Sequence, residues 1–526
     1  MSAPLAVDAG GSPTSHSTLL AGGVWNTAAR VIPQLYTLAI LVVAAHYLGA
    51  AGLGRQSYIA FIELTVVMLV TGGLPTAVMR YVSESLGRDE PAAARSLIRW
   101  AWGVELVAGT LGGGALVIAA LLGASPTGAW TLAGVAAALG VFHSVPSALL
   151  LGAQRWRAAS IAGLVIGSIG TGATIVVLAA GGGITGMFAV EAVVGLVTLA
   201  WTTLLARRVA LELSPRIERS PELRRKTLRY SLLGSVSVLL AFVIWRRSEF
   251  FFLKHYSTYT QIAVYSIPFS FVAALVWIFE AVVCVVTPVV ATLHGAGAHE
   301  RIRVGYGRVI RLFLLTSLPL AAVMMSIGPA VLRMFGSQFS GVGTVTVIML
   351  VTFPFVPLAK AASGLLHGLG LIRLVLISSV FAAGANILLD FLIIPGNGAV
   401  GAAIANGGAQ VIAAVPALFY SIRATGTIDW QARFLARGAC VSAVAGTITW
   451  GAVSSFDSGP ASVAAGIVTA LVAFAIAARL FRLVPPDDAQ WLQGIFGPRL
   501  HGLPAQMIGW WTPRIDRPAL GSGRPS

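Results

Sequence analysis

The stretch that decides the fold is LLHGLGLIRLVLISSVFAAGANILLDFLIIPGNGAVGAAIAN, residues 365–406. It contains an apolar run at about 372–394 and the beginning of a second at about 399–422, with glycines between them. A helix rises about 1.5 Å per residue, so each run can cross a hydrocarbon layer about 30 Å thick. The stretch therefore predicts two membrane-spanning helices joined by a tight turn.

The composition of the whole chain is that of a membrane protein. Its 526 residues are 57% hydrophobic and only 10% charged, with a mean hydropathy of +0.85, whereas a soluble domain is about a quarter charged. The net charge of +16 fits basic cytoplasmic loops. Because no basic block interleaved with aromatic residues occurs outside those loops, we expect no nucleic-acid partner. The cysteines, Cys284 and Cys440, have no metal-binding spacing.

Apolar runs recur along the chain and predict an all-α polytopic protein with about fourteen transmembrane helices. The predicted spans are 24–48, 57–80, 97–123, 129–151, 159–180, 184–206, 229–253, 262–290, 309–332, 341–366, 372–394, 399–422, 433–453 and 460–483. The loops on the predicted outer side are short, so no extramembrane domain is expected there.

The basic residues predict the orientation. Of the 35 basic residues, 28 lie in the regions that follow even-numbered spans, and the loops after odd-numbered spans hold only Arg55, Lys254 and Arg333. Basic loops remain on the cytoplasmic side of a membrane. We therefore expect a multi-pass protein of the cytoplasmic membrane with both termini in the cytoplasm.

The loops and spans also suggest a division into domains. The predicted segments are a cytoplasmic N-terminus at 1–18, a six-helix bundle at 19–206, a basic cytoplasmic hinge loop at 207–228, a second six-helix bundle at 229–425, two additional helices at 426–483 and a flexible cytoplasmic tail at 484–526. The hinge loop lies near the middle of the first twelve helices, as a connection between two halves would.

An internal repeat relates the two halves. Residues 150–191 align with residues 365–406, so that Gly152 corresponds to Gly368 and Gly183 to Gly398. The offset of about 215 residues equals six spans, an even number, so both copies share one orientation. Parallel repeats of this kind occur in transporters whose substrate site lies between the halves.

Charged residues inside the spans are the candidate site. In VIWRRSEFFFLKHY, residues 243–256, two arginines and a glutamate interrupt an apolar run. An arginine at the centre of a membrane helix costs about 2.5–3.5 kcal/mol, and a water-filled cavity between helices lowers this cost. A structural ion pair between Arg246 and Glu249, three residues apart, is the alternative.

Four intramembrane cations are the predicted substrate-binding residues, since guanidinium and ammonium groups suit phosphate oxygens. They are Arg30, Arg246, Arg247 and Lys360. The polar residues predicted to line the cavity or to couple transport to an ion are Asn26, Gln34, Glu63, Glu105, Glu191, Glu249, Glu280, Asn386 and Asp390. We expect no catalytic residue, no metal site and no cofactor.

Three stretches resemble one family of exporters. They are LLAGGVWNTAARVIPQLYTLAILVVAAHYLGAAGLGRQSYIAF near the N-terminus, RRSEFFFLKHYS followed by IAVYSIPFSF, and the stretch 365–406. Together they resemble the polysaccharide (Wzx-type) flippases of the multidrug/oligosaccharidyl-lipid/polysaccharide (MOP) exporter superfamily, over about 19–425. In that family a basic and an acidic residue often occupy the positions of Arg247 and Glu249, and cavity cations are common near Arg30.

The resemblance implies both a fold and a function. The family's two six-helix bundles form a V around a central cavity, and some members add two C-terminal helices. Its members move undecaprenyl-diphosphate-linked oligosaccharides to the outer leaflet by alternating access, for the export of surface polysaccharides such as capsule or lipopolysaccharide. The implied partners are this polyprenyl-diphosphate-linked glycan, the lipid bilayer, and glycan polymerases or glycosyltransferases.

Other functions stay open at this point. A drug/cation antiporter of the same superfamily would use carboxylates such as Glu63 and Asp390, although four buried cations count against it. A lipid II flippase would use the same mechanism on another sugar. A membrane-embedded glycan polymerase usually needs a large extramembrane loop with paired carboxylates, which the short outer loops do not offer, so we expect a transporter and not an enzyme.

Overall fold

A computed structural model describes residues 16–153, 155–213, 221–245, 248–333, 335, 338–339, 341–426, 432–455 and 460–481. The described part of the chain is helical and contains no strand. Its helices are α1 (His16–Thr71), α2 (Leu74–Gly87), α3 (Pro91–Leu121), α4 (Thr127–Gly152), α5 (Trp156–Ala179), α6 (Gly183–Leu213), α7 (Pro221–Trp245), α8 (Glu249–Tyr256), α9 (Tyr259–Gly295), α10 (His299–Arg333), α11 (Val342–Thr352), α12 (Phe355–Gly368), α13 (Ile372–Thr425), α14 (Ala432–Ser454) and α15 (Pro460–Leu480).

In the described part of the chain, each of the fourteen predicted spans coincides with helix. α1 contains the first span and the second as far as Thr71, and it turns at Gly49, where φ is 67°. α13 contains the eleventh and twelfth spans and turns at Gly398, where φ is 52°. Both angles lie in the left-handed region, which glycine adopts without the steric cost of a Cβ atom.

Two spans that the sequence presents as continuous are broken in the structure. The second span is interrupted at Gly72, where φ is 53°, and α2 starts at Leu74. The tenth is divided between α11 and α12. Pro354 stands at the latter break, where it has no backbone N–H to donate to a helix.

Nine helical segments of the described part are long and apolar enough to cross a membrane, with α1 and α13 each counted once and α11 and α12 counted together. Large apolar side chains lie on the surface of several of them, among them Leu111 in α3 and Leu121 at its end. Such side chains are favourable against lipid and unfavourable in water. The chain is therefore a multi-pass membrane protein with an all-helical fold.

The described helices fall into two compact units. The first unit comprises Met1–Val282 with Ser379–Ala409, and the second comprises Val283–Ser378 with Gln410–Ser526. The expected bundles at 19–206 and 229–425 follow a different division, which stays a prediction.

Small residues allow close helix packing in the first unit. Gly113 in α3 lies against the backbone of Gly134 in α4, and a Cβ atom on either glycine would come too close to the carbonyl oxygen of the other. Membrane helices commonly associate through small residues in this way, because water does not drive apolar helices together in lipid. Ile59, Ala129 and Phe188 extend the packing to α1, α4 and α6.

The second unit has its own packed core. Val441 of α14 packs against Ala477 and Ala478 of α15, while Ile327 of α10 packs against Val453 of α14. α14 and α15 are therefore integral to this unit and do not form a loose appendage.

The glycines of the predicted repeat have matching roles. Gly183 and Gly398 both have positive φ, at 59° and 52°. Gly152 at the end of α4 lies against α2, near Met79 O and Val82, while Gly368 at the end of α12 lies against α9, near Thr287 O and Val290. Each glycine thus allows the fourth helix of its repeat to pack against the second, which supports the internal repeat.

Candidate functional site

Two carboxylates and two amides meet inside the first unit. Asn406 Nδ2 donates a hydrogen bond of 2.7 Å to Glu249 Oε1. Asn386 Nδ2 lies 2.9 Å from Ser248 Oγ and 3.3 Å from Asp390 Oδ2. We call Glu249, Asn386, Asp390 and Asn406 the carboxylate–amide cluster.

Two helices, α8 and α13, position these four side chains. Glu249 is the first residue of α8. Asn386 and Asp390 lie four residues apart in α13 and therefore share one helix face. Asn406 follows the turn at Gly398, after which α13 runs back past Asn386 and Asp390.

The cluster is deeply buried and retains unused acceptor atoms. Glu249, Asn386 and Asp390 are 0% exposed and Asn406 is 1% exposed. Glu249 Oε2 and Asp390 Oδ1 have no hydrogen-bond partner among the described residues. The two carboxylates lie close enough for their charges to interact. Buried oxygens of this kind carry a desolvation cost that a bound cation would offset.

Aromatic side chains surround the cluster on the α8 side. The Phe61 ring lies 5.3 Å from Phe250 and 4.8 Å from Phe251, measured between ring centroids. The Phe250 ring lies 5.9 Å from Tyr265. These rings hold α8 against α1 and α9 and keep the start of α8 in an apolar environment.

A second polar site in the first unit is a cavity of about 410 Å³. α1, α5 and α6 supply most of its wall. The polar side chains that line it are Tyr36, Thr37, Gln56, Ser57, Thr171, Thr174, Glu191 and Ser270. Seven of these eight polar side chains carry a hydroxyl or amide group, and such groups suit a hydrated or sugar-like ligand.

One predicted carboxylate lines the cavity and a second lies close to it. Glu191 of α6 is a lining residue, and its charge interacts with that of Glu63 in α1. Glu63 is buried, and its Oε2 has no hydrogen-bond partner among the described residues. The structure thus brings Glu63 and Glu191 together, as it does Glu249, Asn386 and Asp390.

The cavity and the cluster occupy corresponding places in the repeat. At the offset of 215 residues, Thr171 and Glu191 of the cavity correspond to Asn386 and Asn406 of the cluster. The first six spans supply α5 and α6 to the cavity, and the next six supply both parts of α13 to the cluster. Each repeat therefore places polar groups at the same point of its fifth and sixth helices.

The sequence prediction missed Asn406, although the repeat contained a signal for it. Asn406 is the counterpart of Glu191, which was a candidate, and a search for polar residues at repeat-equivalent positions would have identified it. Ser248 and Gln56 carried no comparable signal, because a single serine or glutamine inside a span often only links helices.

Other candidates lie elsewhere. Glu105 is buried in α3 beside Ser144 of α4 and belongs to neither site. Gln34 is half-buried in α1, two residues before the cavity residue Tyr36. Glu280 is half-buried in α9 and lines neither site.

The four cations predicted to bind substrate remain a prediction. Arg246 and Arg247 lie outside the described residues, and so do the side chains of Asn26 and Arg30, although α1 includes both positions. Lys360 is half-buried in α12 of the second unit.

The donor set of the cluster suits a small, hard cation. The described residues contain no group of three or more His, Cys, Asp and Glu side chains placed to share a metal ion. Carboxylate and amide oxygens are the ligands of hard cations, and four side chains are fewer than a calcium site usually needs. The cluster can therefore accept a monovalent cation.

Comparison with known proteins relates part of the chain to one family. Residues 223–392 match the MatE family. These residues include Glu249, Asn386 and Asp390. Among curated proteins, no relative of the chain matches.

Solved structures show the same fold. An inward-facing multidrug resistance MATE transporter of the MOP superfamily aligns with a TM-score of 0.66 at 16% identity, over 77% of this chain and 98% of its own. The lipid II flippase MurJ, in an inward closed conformation, aligns with a TM-score of 0.66 at 14% identity, over 87% of this chain and 98% of its own.

A third structure is a MOP-superfamily transporter from Pyrococcus furiosus, described as having a binding pocket of reversed polarity. It aligns with a TM-score of 0.55 at 16% identity, over 79% of this chain and 99% of its own. The chain therefore has the MATE- and MurJ-like fold of the MOP superfamily, with a MatE-matching region at residues 223–392.

Proposed function

We propose that this protein is a flippase that moves an undecaprenyl-diphosphate-linked oligosaccharide across the cytoplasmic membrane by alternating access. The glycan would travel through a hydrated passage while the polyprenyl chain remains in the bilayer. In this proposal both termini are cytoplasmic, and the arginines at 30, 246 and 247 bind the diphosphate. Glycosyltransferases would supply the substrate, and a glycan polymerase would use it.

The carboxylate–amide cluster is the observation that carries the transport proposal. Two carboxylates and two amides, all nearly or fully buried, are costly inside a membrane protein and usually mark an ion or substrate pathway. Glu249 and Asp390 are buried next to each other, and a bound cation would offset the desolvation cost of two neighbouring carboxylates. We assign to it the binding of a monovalent cation, with sodium as the first candidate, that couples to transport.

The cavity supports a sugar-bearing substrate. Its wall contains six hydroxyl-bearing residues and Gln56, which can pair with sugar hydroxyls. The sequence resemblance to Wzx-type flippases points the same way, and among the neighbours described above the lipid II flippase aligns with the largest share of this chain. A lipid II substrate would fit the same mechanism.

A drug/cation antiporter is the second candidate, and Glu191 favours it. This carboxylate lines the cavity with Glu63 near it, and acidic groups suit an organic cation. The two candidates differ in the sign of the substrate charge that the protein selects.

Deletion of the gene in its host tests the choice. Under the flippase proposal, lipid-linked oligosaccharide accumulates with its sugar facing the cytoplasm, surface glycan is lost, and ethidium sensitivity is unchanged. Complementation with the wild-type gene restores surface glycan. Normal surface glycan combined with increased ethidium sensitivity would favour the antiporter instead.

A further inference from the structure

Two basic residues far apart in the sequence meet on one tyrosine ring in the first unit. The Arg55 guanidinium carbon lies 5.0 Å from the centroid of the Tyr259 ring. Lys254 Nζ lies 4.6 Å from the same centroid. Arg55 belongs to the second half of α1, Lys254 to α8, and Tyr259 is the first residue of α9. The two positive charges are thus within about 10 Å of each other.

The proximity of Arg55 and Lys254 is not expected from the distribution of basic residues along the chain. The predicted outer loops hold only three of the chain's 35 basic residues, namely Arg55, Lys254 and Arg333. Two of these three converge on one ring. Since basic residues are disfavoured on the outer side, their convergence there requires a reason.

The packing beneath the ring fixes its position. The backbone of Gly54 lies so close to Tyr259 that a Cβ atom at position 54 would overlap the Tyr259 carbonyl oxygen. The Tyr58 ring lies 6.2 Å from the Tyr259 ring and 6.4 Å from the Trp130 ring. The two cations are therefore held on a packed aromatic base between the second half of α1, the start of α4, the end of α8 and the start of α9.

The site has positive charge in excess. Among the described residues, neither Arg55 nor Lys254 forms a salt bridge. Lys254 is exposed and Arg55 is half-buried. α9 also begins at Tyr259, after Thr258 accepts a hydrogen bond from the backbone N–H of Gln261, and the positive end of a helix dipole attracts anions. Like charges at this distance repel each other, so an anion between them would be favoured.

We propose that Arg55, Lys254 and Tyr259 form a binding site for the phosphate group of a membrane lipid that carries a net negative charge. The guanidinium can pair with two phosphate oxygens while the ammonium adds a point charge. Tyrosine and tryptophan are enriched at membrane interfaces, where lipid phosphates also lie. Placement on the outer side rests on the orientation in the proposed function. The phosphate belongs either to a phospholipid headgroup or to the polyprenyl diphosphate at the end of its passage.

The small number of lysines makes the site directly observable. The chain contains three, Lys226, Lys254 and Lys360. Reductive methylation with ¹³C labels them and the α-amino group while keeping their charge, so NMR of the full chain in phosphatidylcholine nanodiscs shows one signal from the site, two lysine controls and the separate α-amino signal. The variant Lys254→Arg assigns the signal.

The titrations use phosphatidylglycerol in one series and farnesyl diphosphate in the other, both added to the phosphatidylcholine nanodiscs. We expect the Lys254 signal to shift in at least one series. We expect Arg55→Gln to weaken that binding about tenfold, which equals about 1.4 kcal/mol, while the Lys226 and Lys360 signals keep their wild-type positions and responses.

The variants at Tyr259 test the role of the ring. Tyr259→Phe keeps the aromatic ring and should bind within about twofold of wild type, because the cation–π contacts remain, whereas Tyr259→Leu should lose binding. Arg333→Gln, at the third outer cation, should have no effect.

The two series distinguish the source of the phosphate. Equal affinity identifies a phospholipid headgroup site, and clear preference for farnesyl diphosphate identifies a site for the transported carrier. A Lys254 signal that does not respond to either lipid, or that responds equally in Arg55→Gln, overturns the proposal. Because binding is measured without transport, this result is independent of whether the chain moves a glycolipid.

Discussion

The cation-binding role of the carboxylate–amide cluster gives the sharpest prediction. Asp390→Asn replaces a carboxylate by an amide of nearly the same shape, so the hydrogen-bonded surroundings of Asn386 change little. The change removes one of the two carboxyl groups, Asp390 and Glu249, that lie close together in the cluster. We therefore expect sodium binding to be lost while the fold is retained.

The size of the effect follows from the geometry. A cation about 4 Å from a carboxylate gains about 4 kcal/mol at an effective dielectric constant of about 20. Since about 1.4 kcal/mol corresponds to a factor of ten in affinity, loss of one carboxylate should weaken binding by about a thousandfold. Sodium at about one hundred times its dissociation constant should stabilise the wild type by about 2.7 kcal/mol, and this stabilisation should vanish in Asp390→Asn.

Thermal unfolding of the purified protein measures this difference. Wild type and variants are compared in sodium chloride and in choline chloride at equal ionic strength. Glu105→Gln is the matched control, because Glu105 is equally buried in the same unit but lies outside the cluster. Glu249→Gln should behave as Asp390→Asn does, whereas Glu105→Gln should keep the sodium response. Equal responses to sodium in wild type and Asp390→Asn would refute the assignment.

Three further predictions follow from the cations and from the helix packing. The double variant Arg246→Ala/Arg247→Ala should insert normally but lose glycan export. Surface glycan measures the export, and the amount of protein in the membrane measures the insertion. Normal export at a wild-type amount of protein would argue against diphosphate binding. A cysteine in place of Arg30 should react with a water-soluble thiol reagent, and absence of labelling from both sides of the membrane would indicate a dry, packed position. Gly113→Leu should destabilise the first unit by about 1–3 kcal/mol through overpacking, because Gly113 lies against Gly134. Gly114→Leu, where the added side chain meets nothing within 4 Å, should leave the thermal unfolding temperature nearly unchanged, and equal effects of the two leucines would contradict the packing argument.

Much of the fold could be predicted from the sequence because lipid simplifies the problem. Every backbone N–H and C=O in the hydrocarbon layer needs an internal partner, so an apolar run of sufficient length becomes a helix. The glycines of the repeat indicated the turns, and Gly183 and Gly398 do have matching positive φ angles. The interruptions near Gly72 and at Pro354 were not predicted, because such residues are tolerated inside membrane helices when neighbouring groups satisfy the freed backbone.

The candidate site was predicted in part. Asn386 and Asp390 share a helix face at a spacing of four, and the structure places both in the cluster. Spacing within one helix does not reveal which other helix lies opposite, so Asn406 and its hydrogen bond to Glu249 were missed. The proximity of Glu63 and Glu191 likewise depends on how α1 packs against α6.

Transport by the purified protein is the most direct test of the central claim, that the chain moves a diphosphate-linked glycan in a cation-dependent manner. Proteoliposomes would contain the protein and a polyprenyl-diphosphate-linked oligosaccharide whose sugar faces one side at the start, and a lectin on the other side would report its arrival. We predict arrival that requires the protein, accelerates with a sodium gradient and fails in Asp390→Asn. Arrival at the rate of protein-free liposomes, with ethidium transported by the same preparation, would contradict the claim.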